Sequence, residues 1–341
     1  IVAVVGCYAQ TAPEELAAVH GVNLVIGTKD KSKIVELVED YQAEQGVQNY
    51  VTDIMHERVF EPLEIKKLAN RTRAYLKIQD GCSQFCSYCI IPYARGPIRS
   101  RQPEDVIAEV KRLAENGFKE VVLTGIHVAS YGKDLKTITL TDIIRQVHEV
   151  EGIERIRFSS IEPNVVTEEF AAAMAELPKV CDHFHLSLQS GCDKTLKEMN
   201  RKYDTEKYRQ AAALLRKYLP DVAITTDIIV GFPGETEEDY QASRAFAEEI
   251  GFSKIHVFPY SPKKGTPAAA RKDQLQNAVK QARSHDLITV NDRMTDAFLQ
   301  KHVGKVMPVL FERCVGDDVY EGHTTNYMKV HARSTKDLSN V

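Results

Sequence analysis

The chain reads as an α/β protein whose centre is an open, three-quarter barrel of parallel strands. Three observations predict this. Between residues 71 and 260, short apolar runs alternate with amphipathic helical patterns six times. A loop spaced C-x-x-x-C-x-x-C, made by Cys82, Cys86 and Cys89, directly follows the first of those runs. The composition, 43% hydrophobic and 27% charged over 341 residues, suits a chain able to bury a sizeable core.

The strands are expected at 74–79, 120–124, 155–160, 183–189, 223–230 and 254–260. Helical patterns separate them at 103–116, 139–149, 167–176, 193–218 with a break near Arg201, and 235–249. Such repeats imply parallel strands joined by right-handed crossovers. Six repeats fall short of a closed eight-fold barrel, so the prediction is a (βα)6 partial TIM-type barrel with its working face at the strand C-termini. The cysteine loop sits on that face.

Residues 1–68 read as a partial α/β module. A buried strand over 1–5 runs into Gly6-Cys7-Tyr8, and Pro13 opens a helix over 13–19, where its missing N–H costs nothing. A strand at 24–27 and a helix at 31–41 follow, and 44–70 reads as a linker with little structure. The barrel and a long polar helix over 268–302 make the second unit, 69–302. From 303 to 341 short β segments at 306–311 and 327–331, with a turn at 316–318, predict the start of a small β-barrel. Three units agree with the length. The chain opens on Ile1 and stops in mid-pattern at 337–341, so it is expected to be part of a longer protein.

No apolar run is long enough to span a bilayer, so no membrane association is expected. Seven cysteines, three of them in one loop, argue for a reduced, cytoplasmic setting and a metal site, not a disulfide framework. The net charge of −4 carries no overall signal for nucleic acid. Locally, Lys66, Lys67, Arg71, Arg73, Lys77, Arg95, Arg99 and Arg101 are opposed within their stretch only by Asp80. That run is either a phosphate-facing collar or a solvated surface.

Three thiolates on one loop can hold three corners of an iron–sulfur cube, a cluster that normally takes four cysteines. The fourth iron is then open to another ligand. A structural zinc site is closed by four ligands, and no fourth Cys or His follows at finger-like spacing. The open cluster is the better reading, with zinc and plain core cysteines as the alternatives. Other residues stand at strand ends on the same face: Gly125, Ser159, Gln189, and Asp227 with Gly231. A glycine there permits close backbone approach, though it is more often only a turn. His183 and His185 share a face and read as barrel-interior or surface residues sooner than as metal ligands. Cys181, Cys192 and Cys314 read as small apolar residues. Cys7, after a buried strand, is either structural or an accessible thiolate.

The triplet with Tyr88 just before its last cysteine resembles the radical S-adenosylmethionine (SAM) superfamily. The run from Arg71-Thr-Arg-Ala-Tyr to Ile90-Ile-Pro-Tyr-Ala-Arg-Gly96 resembles the methylthiotransferases within it. So do Ser159-Ser-Ile-Glu-Pro163, His183-Phe-His-Leu-Ser-Leu-Gln-Ser-Gly191 and Phe258-Pro-Tyr-Ser-Pro-Lys-Lys-Gly-Thr-Pro267. The subgroup most similar is the one acting on tRNA threonylcarbamoyladenosine, carried by Leu-Ser-Leu-Gln-Ser-Gly and Gly322-His-Thr-Thr-Asn-Tyr327; Cys192 departs from the family's usual Ser.

The resemblance implies two 4Fe–4S clusters and SAM. Cys82, Cys86 and Cys89 would hold the radical cluster. Cys7 would be one of three ligands of the second, the other two lying upstream of Ile1. Tyr88, Gly125, Ser159, Gln189, Asp227 and Gly231 would line the SAM site. One SAM would methylate a cluster-borne sulfur, and another would yield the adenosyl radical that takes hydrogen from carbon 2 of adenine. The partners implied are a tRNA anticodon stem-loop, with its target base unstacked, and an electron donor such as a flavodoxin or ferredoxin. The 303–341 segment would be a truncated TRAM-like RNA-binding module, with Tyr327 stacking on RNA. Rival readings are the same chemistry on isopentenyl-adenosine or on a ribosomal-protein aspartate, and a non-catalytic zinc-bound RNA-binding module.

Overall fold

The computed structural model describes residues 1–42, 46–61 and 72–341. Its strands, in chain order, begin with β1 (Ala3–Val5), β2 (Leu24–Ile26) and β3 (Gln48–Asn49), a parallel N-terminal sheet. The central strands are β4 (Arg73–Asp80), β5 (Arg99–Ser100), β6 (Glu120–Gly125), β7 (Arg155–Phe158), β8 (His183–His185), β9 (Ala223–Val230) and β10 (Lys254–Pro259). The C-terminal strands are β11 (Val309–Gly316), β12 (Val319–Thr324) and β13 (Lys329–Arg333).

The central strands form a curled half-barrel. One part runs β5-β4-β6-β7 and the other β10-β9-β8. Parallel bridges Ile156↔Val180 and Ile161↔Leu186 carry the curve across the seam. All pairings among β4, β6 and β7 and among β8, β9 and β10 are parallel; short β5 adds antiparallel on the outer edge of β4, an element the sequence pattern does not suggest.

Buried helices enforce this geometry. Pro103–Glu115 turns Val106, Val110 and Leu113 inward, at i, i+4 and i+7. Phe158, Phe170 and Phe184 pack edge to face, with centroids 5.3–6.4 Å apart, beneath the seam. The expected break near Arg201 is present: helices Asp193–Glu198 and Thr205–Tyr218 flank it.

Three expectations need correction. Of the presumed linker, β3 pairs with β2 and a single helical turn spans Ile54–His56, while 44–45 and 62–70 lie outside the described residues. Strands expected to 160 and 189 stop at Phe158 and His185, because the chain there leaves the ladder to build the mouth. β12 is an additional strand. It contains Gly322, which weakens a strand signal, yet a Cβ there would lie 2.4 Å from the Leu310 carbonyl oxygen, so only glycine lets β11 lie so close.

The C-terminal sheet docks on the end of the barrel where the strands begin. The Arg155 guanidinium donates to the carbonyls of His323 and Pro308, and that of Arg157 to those of Thr324 and Thr325. Tyr327 stacks on His183 and His323, with centroids 4.9 and 4.8 Å away, and Arg73 and Arg157 sit against its ring. The ring is thus engaged within the protein and is not the free RNA-stacking platform expected from the sequence.

Candidate functional site at the barrel mouth

The cysteine loop leaves β4 through a turn that demands glycine. Gly81 has φ +73°, and a Cβ there would lie 1.8 Å from the Pro97 carbonyl oxygen. The loop is then pinned from several sides. The Cys82 amide donates to Gly96 O (3.0 Å), the Ser87 amide to Met199 O (3.0 Å), and the Ser87 hydroxyl to Glu198 O (2.8 Å). Asn200 Nδ2 donates to Phe85 O at 2.8 Å, holding Phe85 at φ +50° between the first two cysteines. Among the described residues no cysteine is disulfide-bonded.

The loop is partly buried and charge-compensated. Burial pushes the Cys82 thiol up to about 11, reinforced by the neighbouring Cys86 and Cys89, and burial raises Cys89 as well. Loading a metal there must therefore release protons. The buried Arg201 guanidinium lies 3.0 Å from Cys86 Sγ through Nη1 and 2.7 Å from Glu162 Oε1 through Nη2. His127 Nε2 stands 3.2 Å from the other Glu162 oxygen, and Gln84 Nε2 donates to it at 3.3 Å. In the sequence Arg201 is legible only as a helix break. Its signal is a basic pair with Lys202 in the turn between two helices on the working face. Glu162 stands out there only as part of a strand-end segment.

The donor set can be tested against the cluster. Three cysteines on one loop are soft ligands of the kind an iron–sulfur cluster takes. A buried guanidinium against one of these sulfurs fits an anionic group.

The other candidates divide. Tyr88 packs against Met199, Phe232, Tyr260 and Ala268, a contact that seats the loop on the barrel. Gly125 is required by packing: a Cβ would lie 2.8 Å from Gln79 Oε1, whose amide in turn holds the carbonyls of Asp80 and Gly81. Ser159 Oγ is buried and has no hydrogen-bond partner, a polar atom left for a ligand. Gln189 has φ +73°, while its backbone joins β9 at Asp227 O and Ile229 N. Gly231 turns at φ +71°, and its amide donates to Glu235 Oε1, itself held by Arg283. Asp227 lies deeper in the lumen, 3.3 Å from His185 Nε2, four residues or about 13 Å of strand before Gly231.

The basic run is partly compensated within the protein. Lys77, Arg95 and Arg99 converge on Asp80, Arg73 pairs with Glu120 and Glu312, and Arg101 lies 4.0 Å from Glu109. Lys66, Lys67 and Arg71 lie outside the described residues. Cys7 comes to the same mouth: it opens the helix Cys7–Thr11, and Arg95 Nε donates to its sulfur at 3.1 Å.

Comparison with known proteins agrees with this geometry. The radical SAM superfamily model matches residues 76–247. A threonylcarbamoyladenosine tRNA methylthiotransferase MtaB from Bacillus subtilis is 42% identical over 99% of this chain and 76% of its own length. MtaB from Aquifex aeolicus is 38% identical over 91% of this chain and 75% of its own. A tRNA-2-methylthio-N(6)-dimethylallyladenosine synthase from Thermoanaerobacter is 43% identical over 85% of this chain, which spans 62% of that protein. On these matches the chain belongs to the radical SAM methylthiotransferases, enzymes whose family membership implies a 4Fe–4S cluster and SAM.

Proposed function

We propose that this protein methylthiolates carbon 2 of N6-threonylcarbamoyladenosine next to the anticodon of tRNA. The observation that carries the reading is the pinned, Arg201-compensated triplet of Cys82, Cys86 and Cys89 at the mouth, with Cys7 of the N-terminal module held by Arg95, six residues after the triplet. The threonylcarbamoyl substrate is favoured by the B. subtilis relative, whose match extends over 99% of this chain. The dimethylallyladenosine relatives match over less of the chain at equal identity, so that substrate is the second reading.

In this reading Cys82, Cys86 and Cys89 hold the radical cluster, Cys7 is one ligand of a second cluster, and Ser159, Gln189, Gly125 and Gly231 line the SAM site. When bound, these groups supply the radical chemistry that removal of an unactivated aromatic hydrogen requires, which no side-chain base near neutral pH provides. The chain's own residues do the rest. Arg201 offsets negative charge at Cys86, and Glu162 fixes Arg201 and His127. Tyr88 and its apolar neighbours exclude water from one flank of the loop. An unstacked base would enter past Phe85 and Tyr93, which are half-exposed and meet edge to face at 5.7 Å. The three units 1–68, 69–302 and 303–341 divide the labour, the last meeting tRNA through surfaces other than Tyr327. A flavodoxin- or ferredoxin-type donor and a cytoplasmic setting complete the proposal; among the described residues no helix is long and apolar enough to cross a membrane.

Mass spectrometry of tRNA nucleosides from a deletion strain tests the substrate. Accumulation of threonylcarbamoyladenosine lacking methylthio supports it. Accumulation of unmodified dimethylallyladenosine instead would transfer the assignment to the second reading.

A further inference from the structure

Midway between the mouth and the Tyr327 plug, three side chains from three adjacent strands meet in the lumen. His185 ends β8, Asp227 lies in β9 and His256 in β10. The parallel register pairs His185 with Thr225 and Asp227 with His256, so all three project from one layer of the sheet. Their donor atoms lie within 4.8 Å of one another. His185 Nε2 and Asp227 Oδ2 are 3.3 Å apart, the edge length of a tetrahedron about a metal with bonds of about 2.05 Å.

The site is supported from behind. His185 Nδ1 bonds Thr225 Oγ1 at 3.0 Å, and the same hydroxyl is 3.2 Å from His183 Nε2. With Nδ1 engaged, the lone pair of Nε2 faces inward. This is the arrangement by which a ligating histidine is oriented through its other nitrogen. His185 Nε2 is also buried and, apart from the approach of Asp227 Oδ2, makes no hydrogen bond. Beside it lies a cavity of about 430 Å³ lined by His183, His185, Thr225 and His256, with Phe298 and Met328 among its other walls.

We infer that His185, Asp227 and His256 form a mononuclear site for a divalent first-row metal, distinct from the cysteine loop. Two imidazoles and one carboxylate are a donor set that suits zinc, cobalt or ferrous iron and leaves at least one coordination position free. That position faces the cavity and takes a carboxylate or hydroxyl oxygen. Asp227 is thereby a metal ligand and not the SAM contact expected from the sequence, and His185 is not a bland interior residue.

Equilibrium dialysis of the iron-reconstituted protein against Co2+, with both metals counted by elemental mass spectrometry, tests this. Wild type binds one cobalt per chain. Asp227→Asn and His256→Ala each bind it more weakly by about tenfold or more, while loop-bound iron is unchanged. Equal cobalt binding in wild type and both variants, or none in wild type, overturns the inference. X-ray absorption on cobalt-loaded wild type tests the site without any variant. Nitrogen and oxygen neighbours with imidazole scattering support the site, and sulfur neighbours overturn it.

Discussion

The Arg201 guanidinium stands 3.0 Å from Cys86 Sγ while its other arm binds Glu162 at 2.7 Å, and both side chains are more than nine-tenths buried. A buried cation therefore links the cysteine loop to the end of the third barrel strand. Arg201→Met leaves Glu162 buried with His127 and Gln84 but without its guanidinium partner. Removing one partner of such a pair costs about 3–5 kcal/mol. Thermal unfolding of the variant should show a loss of that order, and the reconstituted cluster should have a lower reduction potential. Arg201→Lys should recover part of both. An unchanged potential in Arg201→Met would show that the guanidinium is only structural.

Gly81→Ala places a methyl group within bonding range of the Pro97 carbonyl oxygen at a φ that side chains avoid. The loop must shift, and its three sulfurs with it. Iron bound after anaerobic reconstitution should fall severalfold, with far-UV circular dichroism retained. Full iron loading would show that the turn geometry does not set the site.

Tyr327→Ala removes one imidazole stack and two cation contacts between the barrel and the C-terminal module, and a second stack, on His323, within that module. The expected loss is about 2 kcal/mol. Limited proteolysis should cut the 309–333 region sooner than in wild type. Equal cleavage rates would mean that the Arg155 and Arg157 bonds to backbone carbonyls hold the module by themselves.

His183, in that stack, is held down to about 3 by burial first, then by Arg157, His185, Arg73 and His256. Its folded pKa lies below the unfolded value of about 6.5. Above that pH the group is neutral in both states. As pH falls from about 6.5 toward 3 the unfolded chain takes up a proton that the folded one refuses, so stability declines across this window. Denaturant unfolding at several pH values should show the decline, and His183→Phe should flatten part of it while keeping the stack. An identical pH slope in the variant would place the dependence elsewhere.

Much of the barrel is legible in the sequence because β6 carries the apolar run Val121-Val-Leu123 and β9 ends on Ile228-Ile-Val230, while in β7 buried Ile156 and Phe158 alternate with arginines. The cysteine loop is legible because its chemistry is local, three ligands within eight residues. Long-range partnerships are not. Arg201 meets Cys86 across 115 residues, Arg157 reaches Thr324 across 167, and the His185–Asp227–His256 layer exists only once three strands align. The partners of the basic run are hidden for the same reason, since most of the acids that pair with it come from other strands and helices. Gly125 also has a packing reason that the sequence does not show: Gln79 stands where a Cβ would be.

The most direct test is reductive cleavage of SAM by anaerobically reconstituted protein, with 5′-deoxyadenosine quantified for wild type and for Cys82→Ala. Wild type should show iron–sulfur absorbance and produce 5′-deoxyadenosine, and Cys82→Ala should produce none above background. Equal production by the variant, or a wild type that takes up zinc without iron–sulfur absorbance, would contradict an open-cornered cluster on Cys82, Cys86 and Cys89.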